Sequence, residues 1–409
     1  MTIIILNIIL ILCPPLFLFS IPLMKRNYEN WKKYFWMYPV LMALLAFSYA
    51  PKPDSGDIVR YFSRIDVYRQ LTLKDAITLF YYRETGETIW IWIAAKLGLP
   101  GVLPGLAAGV VYGVSTYISC DYAERNDKKN LINWIMVICF LLLPFNNIIN
   151  NIFNVTAFAL VLLGVYRDLV QRRRNLLTLL LYVIPCFIQQ AAFILIMVRI
   201  LAVPVKKMKY IAIAIVALMP GAINLLYSNR RIFSGSSFIV GLIERGNYYL
   251  NETANSEYAI RVQTVLWHRL NYILSMLFAG VVIWGVVMLW KAKREEKTII
   301  KKNDNTFLSF LFLVEILAIS CVAFSAPHYW RFNLVTQMAI GFIFILVIRD
   351  DLKSKFWRYA LFAVGAGNFV IQIYRIIRSS VYIDQWMINF LFSTPFQIVY
   401  RLLKWIFNT

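Results

Sequence analysis

Three stretches of this sequence bring carboxylates, guanidinium groups and aromatic rings together at short spacing. The first reads PKPDSGDIVRYFSRIDVYRQLTLKDAITLFYYRETGETIW. It mixes the acids Asp54, Asp57, Asp66, Asp75, Glu84 and Glu87 with the bases Arg60, Arg64, Arg69 and Arg83. If residues 57–68 are helical, Asp57, Arg60, Tyr61 and Arg64 fall at i, i+3, i+4 and i+7 and share one face. The second stretch, 228–269, holds Arg230, Arg231, Glu244, Arg245, Glu252, Glu257, Arg261, His268 and Arg269, interleaved with Tyr248, Tyr249, Tyr258 and Trp267. The third is PHYWRFN, with His328 and Arg331. Guanidinium groups bind phosphate oxygens in bidentate fashion, and aromatic faces stack on cations and on sugar rings. A carboxylate within reach of a hydroxyl can take its proton. Together these groups suit a ligand that carries phosphate and sugar. Plainer readings stand beside this one: a solvated amphipathic helix over 57–68, ordinary surface pairs in 228–269, and interfacial snorkelling for Arg331. The amides Asn146, Asn147, Asn150, Asn151, Asn154, Gln189 and Gln190 either hold sugar hydroxyls or serve turns and interhelical bonds.

Those residues must be positioned by membrane helices. The chain has 409 residues, 60% of them hydrophobic, against roughly 45–50% in soluble domains. The excess lies in blocks of about 15–20 nearly uncharged residues, the length that crosses a hydrocarbon core as helix. Blocks such as 278–289 and 338–348 do not alternate, which excludes the strand pattern of a β-barrel. Spans are predicted over 3–23, 35–50, 103–119, 131–145 and 153–166, then as two short helices within 176–203 broken near Pro185 and Gln189–Gln190. Further spans follow over 210–227, 270–290, 307–324, 332–348 and 359–376. Residues 88–97 read as a re-entrant or interfacial segment. The expected fold is thus an all-α integral membrane protein of about 12 transmembrane helices, a single unit over 1–409. It carries two long extracytoplasmic loops, 51–87 and 228–268, and an amphipathic tail, 378–409. The first block lacks a basic leader and a small-residue cleavage site, so it reads as a retained helix.

The net charge of +21 is spread over short loops between apolar blocks, not grouped on one surface as in a nucleic-acid binder. One alternating set of loops holds 24 Lys and Arg and the longer opposite set only 12, which makes the first set cytoplasmic. All three chemistry-bearing stretches and the Asn-rich turn then face the same outer compartment. The five cysteines lie in or beside apolar blocks without paired spacing and read as packing residues. Walker A, G-x-S-x-G and H-E-x-x-H motifs are absent from the sequence, and its 2 histidines lie too far apart in the sequence to suggest a His-ligated metal. No cofactor or metal is expected.

The order of motifs is DSGDIVRYF, ETGETIWIWIAAKLG, PFNNIINNIFNVTAFAL, FIQQAAFIL and HYWRFN. It resembles the EpsG/Wzy family of bacterial polysaccharide polymerases over most of the chain. The family shows an acidic D-x-x-R-Y-like string after its second helix and a late outer arginine, which Asp57, Arg60, Tyr61 and Arg331 match. It departs where the family has an arginine, here Asn150 or Asn151, and where it has a histidine in the split helix pair, here Gln189 or Gln190. The resemblance implies a GT-C-like membrane glycosyltransferase of the bacterial inner membrane with its active site facing the periplasm. Such an enzyme joins undecaprenyl-diphosphate-linked oligosaccharide units into O-antigen or capsular polysaccharide. On that reading Asp57, Arg60 and Arg331 are catalytic, with Asp57 as the base. Tyr61, Arg64, Glu84, Glu87, Arg230, Arg231, Glu244, Arg269 and His328 bind substrate. Implied partners are the lipid-linked oligosaccharide, membrane lipid, a chain-length regulator and a flippase, with no nucleic acid. A lipid-linked oligosaccharide flippase, an O-antigen ligase and a membrane acyltransferase are the competing readings.

Overall fold

A computed structural model describes residues 36–49, 51, 57–80, 84–202, 205–233, 240–241, 243–244, 247, 265–296, 300–323, 329–349 and 355–379. The expected first span at 3–23, most of loop 228–268, His328 and residues 380–409 lie outside the described residues. The structure is all-helical, and among the described residues there is no strand. In chain order the helices are α1 (Met37–Phe47), α2 (Asp57–Gln70), α3 (Leu73–Leu79), α4 (Thr85–Leu97), α5 (Val102–Arg125), α6 (Ile132–Leu142), α7 (Phe145–Asn150) and α8 (Ile152–Leu169). There follow α9 (Leu176–Ile188), α10 (Ala192–Ala202), α11 (Val205–Ser228), α12 (Leu266–Arg294), α13 (Lys302–Ala323), α14 (Tyr329–Met338), α15 (Ile340–Arg349) and α16 (Lys355–Ser379).

Six of these are long and apolar enough to cross a membrane: α5, α8, the Tyr210–Ser228 part of α11, α12, α13 and α16. The pair α14 and α15 makes a seventh if counted as one span bent by 49°. The helices α1, α9 and α10 are apolar but shorter. Burial sorts the spans into centre and rim. In α8, 83% of the spanning window is buried inside the protein, and in the Tyr210–Ser228 helix only 17%. The centre is therefore α5, α8 and α13 with α14 and α15, packed through Phe158, Phe307, Phe332 and Phe342. On the rim, Leu176, Leu179, Phe187, Leu218, Leu225 and Val370 stay exposed. Those side chains have nothing to gain from water, and their natural neighbour is lipid.

One local outcome refines the sequence expectation and two differ from it. Residues 85–97 form one continuous helix, α4. Its Lys96 is not a stray charge, because Nζ donates to the Arg69 carbonyl at 2.8 Å and so ties down the end of α2. Residues 332–348 are not one straight helix. The ladder tightens to i→i+3 bonds at Ala339 (to the Thr336 carbonyl) and Phe342 (to the Ala339 carbonyl), and the axis turns there. Within 176–203 the break falls at Gln189–Gln190 as expected, but Pro185 sits inside α9. Cys120, Cys139, Cys186 and Cys321 are buried and unbridged, as packing residues should be.

Candidate functional site

The hub of the site is the elbow between α7 and α8. Pro144 precedes α7 and cannot extend the ladder of α6. Asn151 sits at φ −123°, ψ 45°, outside helical geometry, and separates the six-residue α7 from α8. The asparagines bond back onto α7: Asn150 Nδ2 donates to the Asn146 carbonyl at 2.8 Å, and Asn151 Nδ2 adds a donor at 3.2 Å to the Asn147 carbonyl, which also accepts the Asn151 N–H at 3.0 Å. Phe145, Ile148, Ile149 and Ile152 meanwhile anchor the elbow in the core.

Four other segments converge on the elbow. Arg331, buried at the start of α14, donates from Nη2 to Asn151 Oδ1 at 3.0 Å. Arg375, near the end of α16, donates from Nη1 to Asn147 Oδ1 at 2.5 Å. Asn147 and Asn151 lie four residues apart in the chain, so the two arginines meet neighbouring positions of the same elbow. From the first loop, the Tyr61 ring on α2 meets the Phe153 ring edge-on at 5.1 Å, and Trp90 on α4 meets the same ring at 5.9 Å. Arg64 reaches Glu87 at 3.4 Å and lies 5.8 Å from the Tyr61 ring centroid.

Glu84 and Glu87 owe their place to Gly86. A Cβ there would lie 2.8 Å from the Phe187 carbonyl oxygen and 2.9 Å from Ile188 Cα. The start of α4 therefore touches the end of α9 backbone to backbone, which brings both buried glutamates beside the Gln189 break. On α2, Asp57 and Arg60 bond to each other at the solvent side, with Arg60 largely exposed.

The elbow holds buried polar atoms whose hydrogen-bonding capacity the protein leaves unused: Asn150 Oδ1, Asn154 Oδ1 and Gln372 Nε2. Buried polar groups are nearly always satisfied in native structures, so three unsatisfied ones within one small region point to a bound ligand or water.

The sequence-predicted residues divide accordingly. Tyr61, Arg64, Glu84, Glu87 and Arg331 gather round the elbow and its neighbours, and Asp57 and Arg60 lie one turn along α2 from Tyr61 and Arg64. Arg230 pairs instead with Glu244 at 3.6 Å and stacks at 4.3 Å over Tyr227, all near the end of α11. Arg231 and Arg269 are exposed at the end of α11 and the start of α12. The contacts that build the elbow, as described above, involve none of these four.

Sequence reasoning missed the α16 contribution. Asn368 Nδ2 donates to the Leu141 and Leu142 carbonyls, both at 2.9 Å, and Gln372 Oε1 accepts from the Asn146 N–H at 3.2 Å. With Arg375 these residues stand at i, i+4 and i+7, a polar stripe in an otherwise apolar helix. That periodicity was the signal available in the sequence.

Chemically, the arrangement offers two guanidinium groups bonded to one elbow, a bed of neutral amides, and carboxylates on the adjoining α2 and α4. It suits an anionic, hydroxyl-rich ligand at one end of a helical bundle. Comparison of the chain with protein-family models, with curated proteins and with solved structures finds no match in any of the three.

Proposed function

We propose that this chain is a membrane glycosyltransferase that polymerises lipid-diphosphate-linked oligosaccharide units. On this reading the elbow faces the outer compartment of a bacterial inner membrane, in a GT-C-like bundle of about 12 spans. The observation that carries the reading is the convergence of Arg331, Arg375, the Asn147–Asn151 face and the α2–α4 carboxylates on one end of the bundle. An acceptor hydroxyl attacks the anomeric carbon of the donor glycan. The bond from that carbon to the diphosphate oxygen breaks, and the lipid diphosphate leaves with its electron pair. Arg331 and Arg375, both bonded to the elbow, take the two phosphates of that leaving group and stabilise the charge that develops there. A carboxylate takes the hydroxyl proton. Asp57 is assigned this role because it is partly exposed and reachable, whereas Glu87 is buried and held by Arg64. Asparagine and glutamine amides hold sugar hydroxyls.

The flippase alternative needs cations along a central path. Arg199, a basic residue well inside an apolar segment, is instead bonded to Asp168 at the other end of the bundle. The ligase alternative calls for a long late outer loop, and only five residues separate α13 from α14. Both facts favour the polymerase reading.

The test is glycan chain length in cells carrying Asp57→Asn or Arg331→Ala in place of the native gene. Collapse to single repeat units is expected for both. Normal long-chain ladders in both would refute the assignment, as would reporter fusions that place Asp57 and Arg331 on opposite faces of the membrane.

A further inference from the structure

Deep in the bundle, away from the elbow, lies a carboxyl the proposed reaction does not use. Glu315, about three turns along α13 from Asp304, is fully buried. Its Oε1 accepts the hydroxyl of Thr336 on α14, and its Oε2 is buried with no hydrogen-bond partner. Thr336 Oγ1 also lies 2.9 Å from the Asn333 carbonyl. A hydroxyl has one proton, so it serves only one of those acceptors at a time. One turn back on α14, Asn333 donates from Nδ2 to the Ser275 carbonyl of α12 at 2.9 Å, which fixes its amide orientation. Its Oδ1 is left buried and unsatisfied, as is Oε1 of Gln337. Acceptor oxygens thus outnumber donors in a space closed to water, and an ionised carboxylate in such a place needs a compensating positive charge.

The backbone supplies a second, independent observation. Thr336 and Gln337 occupy the last turn of α14, immediately before the 49° bend into α15. The C-terminal end of a helix carries partial negative charge and favours a cation. Discontinuous membrane helices characteristically use such ends, with nearby side-chain oxygens, to hold a small cation. Charged groups on the helices packed round α13 sit at helix ends. They are Arg199 of α10 on Asp168 of α8, with Arg167 beside it; Arg331 of α14 on Asn151; His268, Arg269, Lys291, Lys293 and Arg294 of α12; and Lys206, Lys207 and Lys209 of α11. The remaining titratable groups there are Tyr166, Tyr210, Tyr227, Tyr272, Tyr329 and, on α13 itself, Lys302 and Asp304 at its start and Cys321.

We propose that Glu315, Thr336 and Asn333, beside the broken C-terminus of α14, form an intramembrane site for one monovalent cation, Na+ or a proton. Its occupancy holds α14 against α13, and with it Arg331. The site stands whether or not the chain transfers glycans.

Thermal unfolding of the purified full-length protein in lipid nanodiscs tests it. NaCl replaces choline chloride at constant ionic strength, at about pH 6 and about pH 9. If Na+ is the occupant, the unfolding midpoint at the higher pH rises with the logarithm of Na+ concentration. If a proton is the occupant, Na+ has no effect and the midpoint is lower at the higher pH. Either response is expected to vanish in Glu315→Gln. A wild-type midpoint indifferent to both ions overturns the proposal, and so does a Glu315→Gln protein that keeps the full wild-type response. Should that variant fail to fold, Thr336→Val is read in the same assay. It is expected to weaken the apparent cation affinity about tenfold, and an unchanged affinity overturns the proposal.

Discussion

The two ends of the bundle handle charged groups in opposite ways. At the end carrying the 167–175 loop, carboxylates are saturated. Asp168 accepts from Arg174 at 2.8 Å, from Arg199 and from Tyr182 at 3.4 Å. Asp121 accepts from Arg125 at 2.6 Å, Tyr166 at 2.7 Å and Gln171 at 3.0 Å. At the elbow end, by contrast, two arginines rest on neutral amides, and buried amide atoms of Asn150, Asn154 and Gln372 keep unused capacity. A saturated network resists rearrangement and favours one packing of its helices. An unsaturated one lowers stability locally and persists where a ligand completes it. On the proposed reading the contrast puts structure at one end and ligand binding at the other, and it can be broken by substitution.

The largest expected effect belongs to the saturated end. Asp168→Ala leaves Arg199 largely buried beside an apolar core without its counter-charge, a loss of about 3–5 kcal/mol. Arg174→Ala, at the same carboxylate, is expected to cost no more than about 1 kcal/mol, because Arg174 is 77% exposed and screened. Chemical denaturation in detergent, monitored by tryptophan emission, separates the two. Equal losses would mean that the network is not organised around the Arg199 pair.

At the elbow the loss should fall on rate. Arg375→Ala, and Arg331→Ala in the same assay, are expected to lower glycan transfer by about 10²–10³-fold, the scale of removing one donor from a developing oxyanion. Folding should change by no more than about 3 kcal/mol, the upper range for a hydrogen bond that involves a charged group. An in vitro transfer assay beside an unfolding curve on the same preparation checks both. If Arg375→Ala transfers glycan at the wild-type rate, the two-guanidinium arrangement fails.

How far the sequence announced this contrast differs by element. The spans α5, α8, α11, α12, α13 and α16 lie within a few residues of the apolar blocks, because length and hydropathy suffice to define a buried helix. The α9–α10 break was legible from Gln189–Gln190 amid apolar residues. The bend at Ala339 was not, since no proline or paired glycine marks it and the tightened turns depend on how α14 and α15 pack. Within the site, the i, i+3, i+4, i+7 face on α2 was readable locally, although only Tyr61 and Arg64 turn inward while Arg60 faces out. Arg375 was half legible: its i, i+4, i+7 stripe with Asn368 and Gln372 could be read, but its partner could not. A basic residue near a span's end reads as interfacial, and its partner Asn147 lies 228 residues away in the chain. Pairings of that separation leave no trace in a single sequence.

A smaller effect probes how firmly the first loop is fixed to the elbow. Gly86→Ala pushes a methyl group against the Phe187 carbonyl and Ile188 Cα, both backbone atoms with little room to give. Overpacking of this kind costs about 1–3 kcal/mol. It should also displace Glu84 and Glu87, so transfer is expected to fall alongside thermal stability. Loss of stability with wild-type transfer would show that the two glutamates do not contribute to the site.

The smallest change is the most diagnostic, because stability and activity should move in opposite directions. Asn154 is buried, and its Oδ1 has no hydrogen-bond partner. An unsatisfied buried polar atom costs about 1–3 kcal/mol, and replacing it with an apolar group of similar shape removes that cost. Asn154→Leu should therefore raise the unfolding free energy by up to about 1 kcal/mol while lowering glycan transfer. Had the same residue been a structural bridge, its loss would lower both together, as Asp168→Ala is expected to do at the opposite end. Measuring the unfolding curve and the transfer rate on one preparation of Asn154→Leu thus asks whether the elbow's unused amides exist for a ligand. A parallel fall in both quantities would return the elbow to the class of saturated, purely structural networks.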